Sequence, residues 1–121
     1  MRFFSNQRLR NRSDFERVRQ TGNRIHCGAF IFQASPRETG DSSRIGIITS
    51  RKVGNAVVRN RARRIFRELF RAHQTQFDRP VDLVIVVRST YQRENFHQLE
   101  QRFCRAIQNL NRFLAKAVAS A

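Results

Sequence analysis

The polar and apolar positions at the start of the chain predict one short helix behind a basic arm. Ser13 and Glu16 have the spacing of a capping box, and Gly22 is a suitable stop for the helix that follows. Residues 1–12 show no clear period and are rich in arginine. We therefore expect these twelve residues to form an arm that becomes ordered on a partner.

The next two apolar stretches have strand character. In residues 25–34 the side chains alternate with a period of two, and Phe30 and Phe32 fall on one face. Residues 35–43 are dense in turn-forming residues, and residues 44–49 return to a strand pattern. We expect these two strands to pair as a hairpin.

The second half of the chain places two helical patterns around a buried strand. A basic amphipathic helix is predicted over residues 56–72, with Asn55 as its N-cap. Residues 81–87 are a nearly continuous β-branched run, typical of a central strand, which we place beside the preceding strand. Residues 94–114 have the period of a long helix that covers the sheet, and residues 115–121 are predicted to fray.

This order predicts one α+β domain over residues 1–121, a two-layer α/β sandwich with the order α-β-β(-β)-α-β-α. A chain of this length suits a single hydrophobic core. Its apolar segments are too short for a secretion signal or a membrane span, so we expect a cytoplasmic protein without a membrane partner.

The charge of the chain indicates a polyanionic partner. It has 24 basic and 9 acidic residues, a net charge of +15, and every basic residue except Lys52 and Lys116 is arginine. Residues 51–71 alone hold eight basic residues against Glu68, a net charge of +7. Guanidinium groups grip phosphate in a bidentate manner and stack on bases, which suits a nucleic acid.

The predicted basic helix has two distinct faces. Its apolar stripe comprises Val58, Ala62, Ile65 and Leu69. The opposite side carries Asn60, Arg64, Arg67 and Arg71, flanked by Arg59, Arg61 and Arg63. A solvated helix face usually mixes the two signs of charge, whereas like charges at this spacing repel, so a polyanion should supply the counter-charge.

RNA is a better candidate than DNA for that polyanion. An arginine helix can enter the major groove of DNA, but no helix-turn-helix precedes this one, and its basic face is broad. RNA of irregular shape suits a broad surface, and phenylalanines on a strand can receive unpaired bases. A general RNA-binding module, such as a ribosomal-type or RNA-annealing protein, remains an alternative.

The residues that could perform catalysis are scattered. His26, His73 and His97 lie in separate segments, and the nine acids form no pattern of general acid and base or of metal ligands. Cys27 and Cys104 lack a CxxC spacing and are expected to be small core residues. We predict no catalytic residue and no metal site in the protein itself.

The segment from Ser50 to Glu68, SRKVGNAVVRNRARRIFRE, closely resembles the signature of the protein subunit of bacterial ribonuclease P. Within it lie Lys52, the turn at residues 54–57 and the Arg-Asn-Arg triplet at residues 59–61. The likeness extends to the helix ending at Gly22 and to the strands around Phe30, Ile45 and Val84.

The resemblance implies a left-handed crossover around the arginine helix and a partnership with a large catalytic RNA. In the family the holoenzyme is an endonuclease that removes the 5′ leader of precursor tRNA and leaves a 5′-phosphate. The RNA performs this hydrolysis with Mg²⁺ that it chiefly holds itself. The resemblance thus implies no catalysis by the isolated protein, and no protein partner is expected to be obligatory.

The resemblance also implies two sets of binding residues. The set that faces the catalytic RNA is Arg51, Lys52, Asn55, Arg59, Asn60, Arg61, Arg63, Arg64 and Arg67, to which the face of the helix adds Arg71. The set that lines a cleft for the single-stranded leader is Phe15, Arg19, Phe30, Phe32 and Arg88. Arg19 stands where many relatives have an aromatic residue, and the alternative for each phenylalanine is ordinary core packing.

Overall fold

A computed structural model describes residues 7–119, with side chains described as far as residue 117. The helices are α1 (Arg12–Thr21), α2 (Ala56–His73) and α3 (Phe96–Ala119), and the strands are β1 (Asn23–His26), β2 (Phe30–Pro36), β3 (Arg44–Ile48) and β4 (Val81–Val87). Short 3-10 turns occupy Arg51–Val53, Gln74–Gln76 and Ser89–Arg93. The predicted order of elements is confirmed, including a third strand before the arginine helix.

The four strands form one sheet in the order β1-β2-β4-β3. β4 is antiparallel to β2 and parallel to β3, so the predicted pairing of residues 81–87 beside the β3 strand is confirmed. The predicted hairpin between β2 and β3 is wrong, because β4 lies between them. A β-branched run that is buried on both faces gains most from a central position, and α2 makes the connection between the parallel strands. The left-handedness of that connection stays a prediction.

The strand predicted over residues 25–34 is in fact two strands. Gly28 has a φ of 73°, in the left-handed region that favours glycine, and it turns the chain between β1 and β2. The resulting hairpin pairs Ile25 with Phe32 and His26 with Ile31. β1 is therefore the antiparallel neighbour of β2, in place of the predicted β3.

The two faces of the sheet are covered differently. Helices α2 and α3 pack on one face, where Phe30 contacts Phe66 and Phe32 contacts Phe103, with ring centroids 4.9 Å and 5.7 Å apart. Helix α1 covers part of the other face, where its Val18 packs with neighbouring apolar residues in a small second cluster. The large core thus lies on the α2–α3 face, and the α1 face stays partly open.

The beginning of the described chain differs from its prediction. α1 begins at Arg12, so Ser13 lies inside the helix and the capping box is wrong; Glu16 instead pairs with Arg12 at 3.0 Å. The expected arm is wrong for residues 7–11, because the backbone amide of Leu9 donates to Ile45 at 2.8 Å and its side chain is buried. Residues 1–6 lie outside the described residues.

Two ends of helices are also informative. Gly22 ends α1 as predicted, and its amide donates to the carbonyl of Val18 at 2.7 Å. The tail predicted to fray from residue 115 is wrong as far as residue 119, because α3 continues to Ala119. Residues 120–121 lie outside the described residues. Within the part of the chain that is described, no helix combines the length and the apolar character needed to cross a membrane.

Candidate nucleic-acid interface

The arginine helix α2 has the two faces that its sequence predicts. Ala62, Phe66, Leu69 and Phe70 are buried, and Val58 and Ile65 pack against the same core. On the outer side Asn60, Arg61 and Arg64 are exposed, while Arg59, Arg63, Arg67 and Arg71 are half-buried. The apolar stripe fixes the helix to the sheet, and this fixes the direction in which the guanidinium groups point.

The N-terminal end of α2 is held by side chains from two directions. Asn55 is the N-cap, as predicted, and its side-chain oxygen accepts from the amide of Val58 at 3.0 Å. The buried hydroxyl of Tyr91 donates to the carbonyl of Val58 at 2.6 Å. Burial raises the pKa of this hydroxyl. The first turn of the helix is therefore rigidly connected to the segment that follows β4.

The cationic side of α2 is almost free of carboxylates. Within residues 7–119, the ion pairs made by α2 are Arg71 with Glu68 at 4.0 Å and His73 with Glu100 at 2.7 Å. Among the described residues, no carboxylate lies within 4.0 Å of the guanidinium group of Arg61 or of Arg64. Arg61 and Arg64 are therefore not neutralised by acids among the described residues.

The arginines of this row repel one another. Burial, together with the charges of Arg8 and Arg63, lowers the pKa of Arg67. Arg8 belongs to the segment that runs beside β3, so a second element adds to the positive potential. An open groove of about 580 Å³ lies along this side of the helix, lined by Asn60, Arg63, Arg64, Arg67, Glu68 and Arg71. Such a surface attracts a phosphate backbone.

The cationic surface continues beyond the helix. Arg51 and Lys52 are exposed in the 3-10 turn before α2. Arg59 is half-buried, and its Nε is a buried donor without a hydrogen-bond partner among the described residues. The sequence reasoning missed Val57, which is 67% exposed and precedes Asn60 and Arg61 by three and four residues. An exposed apolar side chain among cations is suited to contact a sugar or a base.

Two residues predicted for the leader cleft are not on the surface. Phe30 and Phe32 are each 0% exposed and lie in the core between the sheet and helices α2 and α3. The prediction that they line a cleft is wrong for both. Their common face was identified, but that face turned out to be the one that the long helices cover.

The face of the sheet toward α1 carries a different row of side chains. Strand register places Ile48, Val86 and Ile31 directly opposite one another on β3, β4 and β2. All three are half-buried, whereas Val84 in the next row is fully buried beneath α1. We call this row, Ile48, Val86 and Ile31, the open strip. Sequence alternation placed Ile31 opposite to Phe30 and Phe32 but could not show that its face was open.

The remaining predicted cleft residues surround the open strip. Phe15 is half-buried on α1 and packs with Val86 and Ile48 against the small cluster. Arg19 is exposed one helical turn later, on the same side of α1. Arg88 is exposed two residues after Val86, and its amide donates to Ala29 at 3.0 Å. An apolar floor with cationic walls is suited to bases that stack and to phosphates that pair.

A buried carboxylate holds α1 on the sheet. Asp82 is 0% exposed, and Arg44 binds it in a bidentate manner at 2.8 Å and 2.7 Å. This hydrogen bonding raises the pKa of Arg44. Arg17 of α1 also pairs with Asp82, and Arg44 lies 3.6 Å from Asp14 of α1. We call Asp82 with Arg17 and Arg44 the clasp; it lies at the end of β4 opposite to Val86.

Among the residues described, no three His, Cys, Asp or Glu side chains are grouped so that they could hold a metal ion. Cys27 is buried, Cys104 is half-buried, and both are free thiols. Burial raises the pKa of the Cys27 thiol to about 11, which agrees with the predicted core position.

The sequence matches known proteins over most of its length. A protein-family model described as Ribonuclease P matches residues 3–111. The ribonuclease P protein component of Desulforamulus reducens is 36% identical over 104 residues, which cover 86% of this chain and 91% of the relative. The ribonuclease P protein component of Gluconacetobacter diazotrophicus is 36% identical over 111 residues, which cover 91% of this chain and 90% of the relative.

Solved structures agree with the sequence comparison. The RNase P protein from Thermotoga maritima superimposes with a TM-score of 0.72 at 28% identity, covering 87% of this chain and 96% of that one. The RNase P protein from Staphylococcus aureus gives a TM-score of 0.70 at 27% identity, covering 93% of this chain and 94% of that one. The predicted α+β class is thereby confirmed.

Proposed function

Because this chain belongs to the ribonuclease P protein family, we propose that it assists a catalytic RNA in removing the 5′ leader of precursor tRNA. In this function the cationic face of α2 binds the catalytic RNA. The open strip with Phe15, Arg19 and Arg88 receives the single-stranded leader. The protein thus positions a substrate, and the RNA performs the hydrolysis.

The observation that carries the proposal is a rigid helix whose most exposed arginines are not neutralised by carboxylates of the described residues. Arg61 and Arg64 are exposed and have no carboxylate partner among the described residues, although the helix that bears them is capped and anchored at its first turn. Like charges held on a fixed surface repel one another, and this repulsion raises the free energy of the unbound protein. A bound polyanion neutralises the charges and removes the repulsion. A folded RNA supplies phosphates from several strands over a surface this broad.

The proposal assigns the chemistry to the RNA. Mg²⁺ in the holoenzyme is held chiefly by RNA phosphates, and it stabilises the charge that develops during phosphodiester hydrolysis. The residues of this chain contribute by binding and orienting: α2 holds the RNA, and the α1 face of the sheet holds the leader. We place the assembly in the cytoplasm, where precursor tRNA is made.

The first test is reconstitution with the RNA subunit of the same host. We expect the purified protein to leave precursor tRNA uncut, and the protein with its RNA to cleave at lower Mg²⁺ than the RNA alone. Cleavage by protein freed of RNA would contradict the assignment of the chemistry. Protein that binds many unrelated RNAs equally well and leaves the Mg²⁺ requirement unchanged would favour a general RNA-binding module.

The second test asks whether α2 makes the phosphate contacts. The double variant Arg61→Gln/Arg64→Gln should lower the dependence of RNA affinity on salt by roughly two units of logarithmic slope, because each lost phosphate contact removes about one. The matched control is Arg105→Gln/Arg112→Gln, which removes two exposed charges from α3. Equal slopes in the two double variants would place the RNA on another surface.

A further inference from the structure

The hairpin strand β1 extends the α1 face of the sheet beyond the open strip. His26 pairs with Ile31, so its side chain continues the row formed by Ile48, Val86 and Ile31. Arg24 pairs with Gln33 one row further in, and both Arg24 and His26 are exposed. β1 is an edge strand, so nothing among the described strands covers its outer side.

We propose that Arg24 and His26 form a second RNA subsite that binds leader nucleotides upstream of those on the open strip; this inference rests on the proposed function. The chemistry suits single-stranded RNA. A guanidinium group pairs with phosphate, and an imidazole ring offers a flat face on which a base stacks. The register of β1 with β2 places both side chains on the face of the sheet that carries the open strip.

The direction of the leader follows from the order of the strands. Ile48, at one end of the row, precedes Arg51 by three residues and therefore lies beside the arginine surface that holds the catalytic RNA. His26 lies at the opposite end, three strand spacings or about 14 Å away. A leader that leaves the catalytic RNA and follows the row passes Ile48 and Val86 first, and reaches β1 last.

Gln33 gives the second subsite a fixed position. Its side-chain amide is almost fully buried and donates to the carbonyls of Arg19 at 3.0 Å and of Gly22 at 3.1 Å. These bonds tie the C-terminal end of α1 to β2, beside Arg24. The cationic wall at Arg19 and the β1 residues therefore belong to one rigid surface, which can bind consecutive nucleotides.

The test uses the reconstituted holoenzyme and precursor tRNAs whose leaders are shortened one nucleotide at a time. The double variant Arg24→Gln/His26→Gln should bind the long-leader substrate about tenfold more weakly, as expected for one stacked base and one phosphate contact. The loss should disappear once the leader is too short to reach β1. The matched control His97→Gln/Arg105→Gln removes the same side chains from the exposed side of α3.

A third variant, Arg19→Gln, separates the two proposals. If it weakens binding of leader-bearing substrates while Arg24→Gln/His26→Gln has no effect, or has the same effect at every leader length, the β1 subsite is refuted and the proposed function stands. If neither variant alters binding, leader binding on this face is refuted as well. All substituted side chains are exposed, so thermal unfolding midpoints should match and exclude a folding defect.

Discussion

The ring of Phe15 occupies the space in which a side chain on Gly46 would stand. A Cβ atom built on Gly46 would lie 2.3 Å from Cζ of Phe15 and 3.2 Å from Cβ of Leu9. Because Gly46 has no side chain, the ring of Phe15 can lie directly against β3, and α1 can approach the sheet closely. This contact sets the height of α1 above the sheet, and with it one wall of the open strip.

Substitution of Gly46 by alanine should force Phe15 out of its position. We expect a loss of about 1–3 kcal/mol in the free energy of unfolding, the usual cost of overpacking, and weaker binding of leader-bearing precursor tRNA. Phe15→Leu in the same chain should relieve part of the clash, so the double variant should be more stable than the sum of the two single effects. Strict additivity in denaturant titrations would show that the two residues do not interact.

The clasp should contribute more stability than an exposed ion pair. Asp82→Asn removes a buried carboxylate from three arginines, Arg17, Arg37 and Arg44, and should cost about 3 kcal/mol in the free energy of unfolding. Glu16→Gln is the matched control, because it removes a carboxylate from an exposed pair with Arg12 and should cost less than about 0.5 kcal/mol. Similar losses for the two variants would mean that the clasp does not hold α1.

The hydroxyl of Tyr91 should be needed to hold the arginine helix. Tyr91→Phe keeps the buried ring and loses only the bond to the carbonyl of Val58, so we expect a cost of about 1 kcal/mol in stability. RNA affinity should also fall, because the first turn of α2 gains freedom that binding must remove again. Unchanged stability and affinity would show that Asn55 and the apolar stripe position the helix without Tyr91.

The Cys27 thiol should make stability depend on pH in alkaline solution. Its pKa is raised from 9.0 to about 11 in the folded chain, so the folded state keeps a proton that the unfolded state loses. This contribution is complete below pH 9 and is lost as the pH rises toward 11. The difference in free energy of unfolding between the natural chain and Cys27→Ala should therefore be constant below pH 9 and shrink between pH 9 and 11. A difference that stays constant up to pH 11 would contradict the raised pKa of the Cys27 thiol.

The α1 face of the sheet is where sequence and structure disagree most. Alternation assigned Phe30 and Phe32 to one face and Ile31 to the other, and this division is correct. Both faces are apolar, however, so alternation could not decide which one the long helices cover. The aromatic residues were assigned to the cleft because the resemblance implied aromatic residues there, and the helices cover that face instead.

What the sequence determined by itself is local. The period of α2, its cap at Asn55, the stop of α1 at Gly22 and the run of like charge depend on residues within a few positions of one another, and each is present in the structure. The comparison with a known signature depended on the same contiguous residues. These features follow from backbone geometry and side-chain chemistry, whatever the rest of the chain does.

What the tertiary structure decided is the meeting of distant segments. The position of β4 between β2 and β3, the clasp around Asp82 and the row from Ile48 to His26 join residues that lie far apart in sequence. Strand order depends on which pairing buries most apolar surface, and a period of two is equally consistent with several orders. The arginine helix could therefore be predicted from the sequence, whereas the surface that we assign to the leader could be identified only in the folded sheet.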